Sequence, residues 1–412
     1  MIKKWFKSEL VRKFMFTLMM MCVMELGKQI AIPALDSDTT RRVMSSTPFL
    51  RNLAITTGGQ FNYPSIFSIG LAPYMTGMIL FQVIMLLDID GLNKLSKYQI
   101  GIVQRLISFF IAMLQSFQLI YLIKDHIKMS GIMFLGVDYN LIVPFFVLVA
   151  GAMLVSWMTD MMVKNGIGGA GTLIIPGIMS NMPYSLLRGQ GLGTTSLEIN
   201  LTNILICVFS ILIVAVASVF MNKAELRIPL QRPMIQNDFS ESYLPIKVLA
   251  AGSMPFMFST ALFLIPGYFG GFDAGSGIGR FLQQYWSFDS PVGIIIYCGI
   301  VVLLGYAFSF MNFRPENNAK QLKKGGDYIF GLTPGEETKK FLNKNLIYLS
   351  TIANMFFVIV IATPLVMGLY VEGISNLMFV FSNILILVTV MDTVIEQTKV
   401  LYLRTQYNLL EQ

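Results

Sequence analysis

Histidine is almost missing from this chain: His126 is the only one in 412 residues. A multi-histidine metal centre or a paired-histidine mechanism is therefore excluded. Cysteine is nearly as scarce. Cys22, Cys207 and Cys298 lie far apart, each inside an apolar run. They offer neither the close spacing of a zinc cluster nor a disulfide framework, and read as small apolar residues. No Walker A sequence is present, so any ATP-driven work belongs to another subunit. Charge is thin as well: Asp, Glu, Lys and Arg make up 13% of the chain, where soluble domains run near ~25%. That removes the two or three soluble domains this length would otherwise suggest.

What fills the space is apolar. Hydrophobic residues account for 55% of the sequence, before its 34 glycines are counted, and the mean hydropathy is +0.65. Ten runs are long enough to cross a bilayer: 14–33, 61–87, 102–123, 141–163, 172–187, 201–221, 248–269, 291–311, 346–367 and 374–394. Spans of ~20 residues satisfy this requirement. The expectation is an all-α polytopic membrane protein. The first run is too long for a signal peptide, and no small-residue cleavage site follows it.

A net charge of +7 raises nucleic acid as a partner, but the positions of the cations answer otherwise. Most of the 30 lysines and arginines fall on one side if the N-terminus is cytosolic. They include Lys3, Lys4, Lys7, Arg12 and Lys13 before the first span, and a dense set between the eighth and ninth. By the positive-inside rule both termini are cytosolic, and the lipid bilayer rather than nucleic acid is the partner. Two cytosolic loops are long. Within 222–247, ELRIPLQ and SYLPIKV flank a polar turn and predict a β-hairpin. Within 312–345, KKGG and LTPGEET mark turns between helical pieces. Such loops either enforce topology or dock a soluble partner, and their length favours docking.

Charges inside spans are expensive and are read first as functional candidates. Glu25 and Lys28 lie one helical turn apart, as do Asp160 and Lys164, and each set can pair along its helix. Asp392 lies near Glu396 and Lys399. All three groups sit off-centre, which favours structural pairing over an ion pathway. GIGGAG (166–171) matches G-x-G-x-x-G, but it joins two spans where a βαβ unit is required, so it reads as a tight helix reversal. The second span is broken at Gly70 and Pro73, which detaches the short piece 61–69. Irregular backbone at membrane depth needs protein or water around it. The piece lies either in a cavity or on the outer interface as an amphipathic helix. No catalytic residue, metal or cofactor is expected from these patterns.

Several segments resemble the SecY protein-conducting channel family. They are SIFSIGLAPYMTGMILFQVIMLL (65–87), WMTDMMVKNGIGGAGTLIIPGI (157–178), LPIKVLAAGSMPFMFSTALFLIP (244–266), the loop 313–344 and VMDTVIEQTKVLYLRTQY (390–407). The order and topology agree over nearly the whole chain. The resemblance implies ten transmembrane helices in two inverted five-helix halves, 1–187 and 188–412, around an hourglass pore. It implies an apolar pore ring of Leu71, Met75, Ile174 or Ile175, Met254 and Leu385. It also implies a plug at 61–69 carrying Phe61, Tyr63, Ile66, Phe67 and Ile69. The lateral gate falls on Thr76 and Gln82 opposite Ser259 and Thr260. A SecA-type ATPase would dock on the cytosolic loops at Arg227, Arg232, Arg314, Lys323, Lys324, Thr333 and Pro334.

Two features depart from the common family pattern. The loop tip reads Thr333-Pro334-Gly335 where Arg-Pro-Gly is usual, and RPMIQNDFSES keeps only Arg232 of a basic cluster. These changes resemble the accessory SecY of some Gram-positive bacteria. That likeness implies an accessory SecA, a secreted polypeptide substrate of the serine-rich glycoprotein adhesin class, and a cytoplasmic-membrane location; small membrane subunits are further partners the family admits. The rival from another class is a secondary transporter of a small solute, which also uses inverted repeats and interrupted helices. The midplane stretches supply no convergent charges for one. An intramembrane enzyme is the third reading, and with one histidine its acid–base machinery is hard to assemble.

Overall fold

The computed structural model describes residues 9–32, 65–86, 96–123, 133–134, 137–188, 201–231, 242–259, 262–263, 288, 290–370, 374 and 377–407. Ten α-helices of 11 residues or more carry the described chain. They are α1 (Glu9–Gln29), α2 (Ala72–Leu86), α3 (Lys97–Ile123), α4 (Tyr139–Asn165), α5 (Ile175–Arg188), α6 (Leu201–Lys223), α7 (Pro291–Phe313), α8 (Pro315–Gly325), α9 (Glu336–Gly368) and α10 (Leu377–Tyr407). Five described helical stretches are long and apolar enough to cross a membrane: in α3, in α4, in α7 continued through α8, in α9 and in α10. Their outward side chains are large and apolar, among them Phe110, Phe146, Ile295 and Met355. Together with the family relationship established below, this is an all-α membrane protein. Of the expected seventh span, a run of turns at 248–253, a short helix at 254–259 and residues 262–263 are described.

The chain divides into two compact units. The first takes Met1–Leu192 with Val390–Gln412, and the second takes Gly193–Thr389. In the first unit, α2 packs on α3, α3 on α4, and α1 on α4. The α2–α3 contact is close because Gly77 faces Ser108, with no room for a Cβ between them. Arg105 of α3 donates from Nε and Nη2 to Asp160 Oδ2 of α4, each at 2.9 Å. The expected partner of Asp160 was Lys164, one turn along its own helix. Packing of α3 on α4 supplies a guanidinium fork instead, which grips a carboxylate better than a lone ammonium. The Glu25–Lys28 pair does form, at 2.7 Å, with Lys28 buried.

GIGGAG is a helix reversal, as its setting implied. Gly168 and Gly169 take positive φ of 82° and 62°, conformations that cost a residue with a Cβ, and a 3-10 turn, Gly169–Ile174, follows. Its orphan donors are used across the unit. Ile167 N–H donates to Thr17 Oγ1 at 2.9 Å, and Gly168 N–H donates to Gln397 Oε1 at 2.7 Å.

In the second unit α7 packs along α9, with Gly305 leaving room for the Asn354 amide. Strands β3 (Glu225–Gln231) and β4 (Tyr243–Lys247) form the expected antiparallel hairpin, Glu225 opposite Lys247. Two short strands, β1 (Met133–Phe134) and β2 (Val137–Asp138), pair in the first unit, and β5 (Tyr328–Ile329) adds to the free edge of β3. Helix α9 begins ten residues before the predicted span. Its first turns bury Thr338, Leu342 and Leu346, so the apolar periodicity continues outside the hydrocarbon. At 1.5 Å per residue its 33 residues reach about 50 Å, well beyond a hydrocarbon core of ~30 Å.

Candidate functional site

The segment leading into α2 is a compact turn. Ser68 N–H donates to Ser65 O at 3.1 Å and Gly70 N–H to Phe67 O at 3.0 Å. Ser65 N–H is taken by Ser68 Oγ at 2.7 Å. Gly70, at φ 60°, reverses the chain, and Pro73 then sits in the first turn of α2, where its missing N–H costs nothing. The turn is tied to the end of α1: Ile66 N–H donates to Ile30 O at 3.1 Å, and Ala31 bridges Ser65. The polar backbone of the turn thus finds its partners inside the protein.

Its seat is made by two glycines that sequence reasoning passed over. A Cβ on Gly27 of α1 would strike the Phe67 ring, and one on Gly151 of α4 would strike the Ile66 carbonyl oxygen. The only signal was glycine inside a helix, which costs about 1 kcal/mol against alanine. Glycine is common in membrane helices, so the signal did not stand out. Phe67, Ile69 and Leu71 are buried and Ile66 is half-buried. Phe61 and Tyr63 lie outside the described residues.

The assigned ring residues divide between the units. In the first, Leu71 closes the turn and Met75 follows one helical turn later in α2, both buried. Ile174 ends the 3-10 turn and Ile175 begins α5, also buried. In the second, Met254 is half-buried at the start of the short helix 254–259, just after Gly252 at φ 62°. Leu385 is buried in α10.

Of the gate assignments, Thr76 is half-buried on α2. Ser259 is wholly buried: its hydroxyl lies 3.0 Å from the Tyr297 hydroxyl and donates to Phe256 O at 3.3 Å. It therefore faces α7 within its own unit, beside the Phe263, Phe288 and Tyr297 rings. The side chain of Gln82 and all of Thr260 lie outside the described residues.

The loops that carry the docking assignments lie together. Both long loops build one platform in the second unit. Its core is Ile228, Leu230, Ile246, Ala319, Ile329, Leu342 and Leu346, drawn from the hairpin, β5, α8 and the start of α9. Arg227 lies exposed on β3, with Nε donating to Glu225 at 2.8 Å and its guanidinium 4.9 Å over the Tyr243 ring. The Glu225 carboxylate holds the Arg227 pKa above its ordinary value. Arg314, at φ 46°, joins α7 to α8 and donates from Nε to Met311 O. Lys323 and Lys324 stand exposed in the last turn of α8, where the helix dipole favours cations. Arg232 lies outside the described residues.

At the tip, Thr333 donates from its N–H (3.0 Å) and hydroxyl (2.6 Å) to Glu337, which holds that carboxyl below the usual range. Thr338 Oγ1 returns a bond to Thr333 O at 2.9 Å, so Thr333 fastens the start of α9. Pro334 is exposed, and Phe330 is 81% exposed beside it in sequence. Among the described residues no three His, Cys, Asp or Glu side chains lie together as metal ligands would.

A family model described as SecY matches residues 65–395. The chain is similar to the accessory Sec system protein translocase subunit SecY2 of Leuconostoc gelidum subsp. gasicomitatum, 27% identical, over 97% of this chain and 96% of the relative. It is also similar to the protein translocase subunit SecY of Staphylococcus aureus, 28% identical, over 88% of this chain and 87% of the relative. A solved SecY structure superposes with a TM-score of 0.58 at 15% identity, covering 94% of this chain and 92% of the other. It is described as having a plug domain that stabilises the closed state of the translocation channel and maintains a membrane seal. At that identity the superposition speaks for the fold alone.

Proposed function

We propose, from the premise that the chain belongs to the SecY family, that it is the central channel subunit of an accessory Sec translocase in a bacterial cytoplasmic membrane. The family is one of protein-conducting channels and not of enzymes, and this chain is a membrane-embedded protein-translocation subunit. The finer assignment is a SecA-type motor, specifically an accessory SecA, driving unfolded serine-rich glycoprotein adhesins outward. Its support is the full-length similarity to a relative named SecY2 and the Thr333-Pro334-Gly335 tip.

The observation that carries the channel reading is the turn at 65–70. Non-helical backbone at membrane depth is tolerated only inside protein or against water. Here it is tethered to α1 and seated on Gly27 and Gly151, a removable stopper ahead of α2. We assign 61–69 as the plug. Leu71, Met75, Ile174 or Ile175, Met254 and Leu385 form the apolar ring between halves 1–187 and 188–412.

A translocating chain carries backbone groups that cost several kcal/mol each when unsatisfied in hydrocarbon, so it needs a wet path. A narrow apolar ring expels water when no chain fills it and so limits ion leak. Flexible thioethers at Met75 and Met254 seal around varied side chains. We assign a lateral exit for apolar segments to Thr76, Gln82 and Thr260, with Ser259 behind it, turned toward Tyr297. The basic platform, at Arg227, Arg232, Arg314, Lys323, Lys324, Thr333 and Pro334, receives the motor, and both termini face the cytosol with it.

The test is reconstitution of the purified channel in vesicles with its SecA-type ATPase, ATP and a serine-rich polypeptide. Protease-protected polypeptide that requires all three components is the expected product. Solute uptake with no protected polypeptide would place the protein among carriers.

A further inference from the structure

A lysine inside an apolar run is expensive to bury, and α1 buries one near its end. The Lys28 side chain is 1% exposed, with Nζ 2.7 Å from Glu25 Oε2. That oxygen is buried too, although the Glu25 side chain as a whole is 38% exposed. An ammonium carries three donors. Beyond Glu25, no acceptor among the described residues takes a hydrogen bond from Lys28. The channel reading makes no use of this pair.

Its position gives it a use. Helix α1 buries Thr17, Met20, Met24, Gly27 and Lys28, a stripe that recurs every three or four residues on one face. The turn at 65–70 meets the last part of that helix. Phe67 fills the space that Gly27 leaves, Ile66 N–H donates to Ile30 O, and Ala31 bridges Ser65. Lys28 falls between these contacts along the chain, so the buried charge and the turn share one end of α1.

Stability does not account for the pair. Burying two charges costs about what their attraction returns, and well-packed apolar side chains of similar volume commonly hold a fold as well or better. Methionine would keep the unbranched shape of Lys28 without the charge. The pair does bias the turn. While the turn is seated the ammonium is dry; once the turn lifts and water enters, the ammonium regains its hydration. A buried charge at this place therefore favours the wetted arrangement over the sealed one.

We propose that Lys28 is a positioning residue that keeps the seal beneath the turn marginal, so that the turn releases when a polypeptide brings water to the end of α1. Glu25 limits the bias by giving the ammonium one partner while the channel rests. The proposal rests on reading 61–69 as the plug.

The test is single-channel recording in planar bilayers, which counts rare resting openings, beside thermal unfolding of the same preparations. Lys28→Met removes the buried charge and is expected to lower resting open-state occupancy roughly ten-fold without loss of melting temperature. Glu25→Gln strands the ammonium and is expected to raise occupancy by about as much. The double variant E25Q/K28M should behave as K28M does. A plain structural brace predicts otherwise: removal of either partner loosens the turn, and the double variant leaks as well.

Leak from K28M or from E25Q/K28M overturns the proposal, and so does wild-type occupancy in both single variants. If E25Q fails to fold, K28M and the double variant decide, because neither leaves a buried cation unpaired. The Gly/Ser replacement of 61–69 is recorded beside them. A leaky replacement with silent pair variants overturns the role of Lys28 alone. A replacement as tight as wild type overturns the plug reading on which that role rests.

Discussion

Gly151 has no side chain, and that gap is what admits the backbone of Ile66 against α4. The obstacle a Cβ would meet there is a carbonyl oxygen, which cannot rotate away as a side chain can. Gly151→Val is therefore expected to displace the turn at 65–70 and raise resting ion conductance in planar bilayers. Overpacking of this kind costs roughly 1–3 kcal/mol, small enough for the protein to fold. Gly27→Val meets the Phe67 ring, which can shift, so its leak should be smaller; equal and silent variants would deny the turn a sealing role. Met254→Asp probes the ring from the other unit. A carboxylate in an apolar constriction either hydrates it or stays poorly solvated at a cost of a few kcal/mol. The expected outcome is new single-channel conductance with an unchanged melting temperature. A destabilised but electrically silent variant would make Met254 an ordinary packing residue.

The loop platform shows how elements from distant stretches acquire a shared surface. Strand β5 sits about a hundred residues from the hairpin it joins, and α8 displays Lys323 and Lys324 beside it. Reversing both charges should weaken binding of the ATPase more at low salt than at high salt, because exposed charges are screened over ~8 Å at physiological ionic strength. A loss that ignores salt would indicate a misfolded platform. The tip has its own pH dependence. Bonds from Thr333 hold the Glu337 carboxyl below its ordinary value, so the ordering they give is present above the ordinary carboxylate range and is lost as pH falls through the lowered value. Protection of the amides at 333–338, measured relative to their intrinsic exchange rate at each pH, should therefore fall on acidification. Thr333→Val, which deletes the hydroxyl donor, should raise exchange at neutral pH and flatten that response.

For the molecule as a whole, the distinguishing test replaces 61–69 with a short Gly/Ser linker. The protein should fold and still accept its motor, yet leak small ions at rest; unchanged vesicle conductance would speak against a plug. Much of this architecture was legible in the chain itself. Apolar runs announced the membrane helices, the two β-prone stretches announced the hairpin, and Gly70 with Pro73 announced the break before α2. Each signal is local. The partner of Asp160 was misread because Arg105 lies 55 residues away while Lys164 is within one helical turn. The early start of α9 was missed because its first turns are amphipathic and find their apolar partners in α8 and the sheet, not in lipid.

The amino-acid order by itself determined that this protein lives in a bilayer, where its helices run and where its second span breaks. Those properties follow from transfer energies and backbone geometry, which act residue by residue over a helical turn or a span. Only the tertiary structure decided what the break rests on and what the charges meet. Gly27 and Gly151 become a seat only once α1 and α4 bring their gaps to the same turn. Arg105 and Asp160 become an ion pair only when α3 lies on α4. Steric fit and ion pairing act through space over a few ångströms, and separation along the chain carries no information about either.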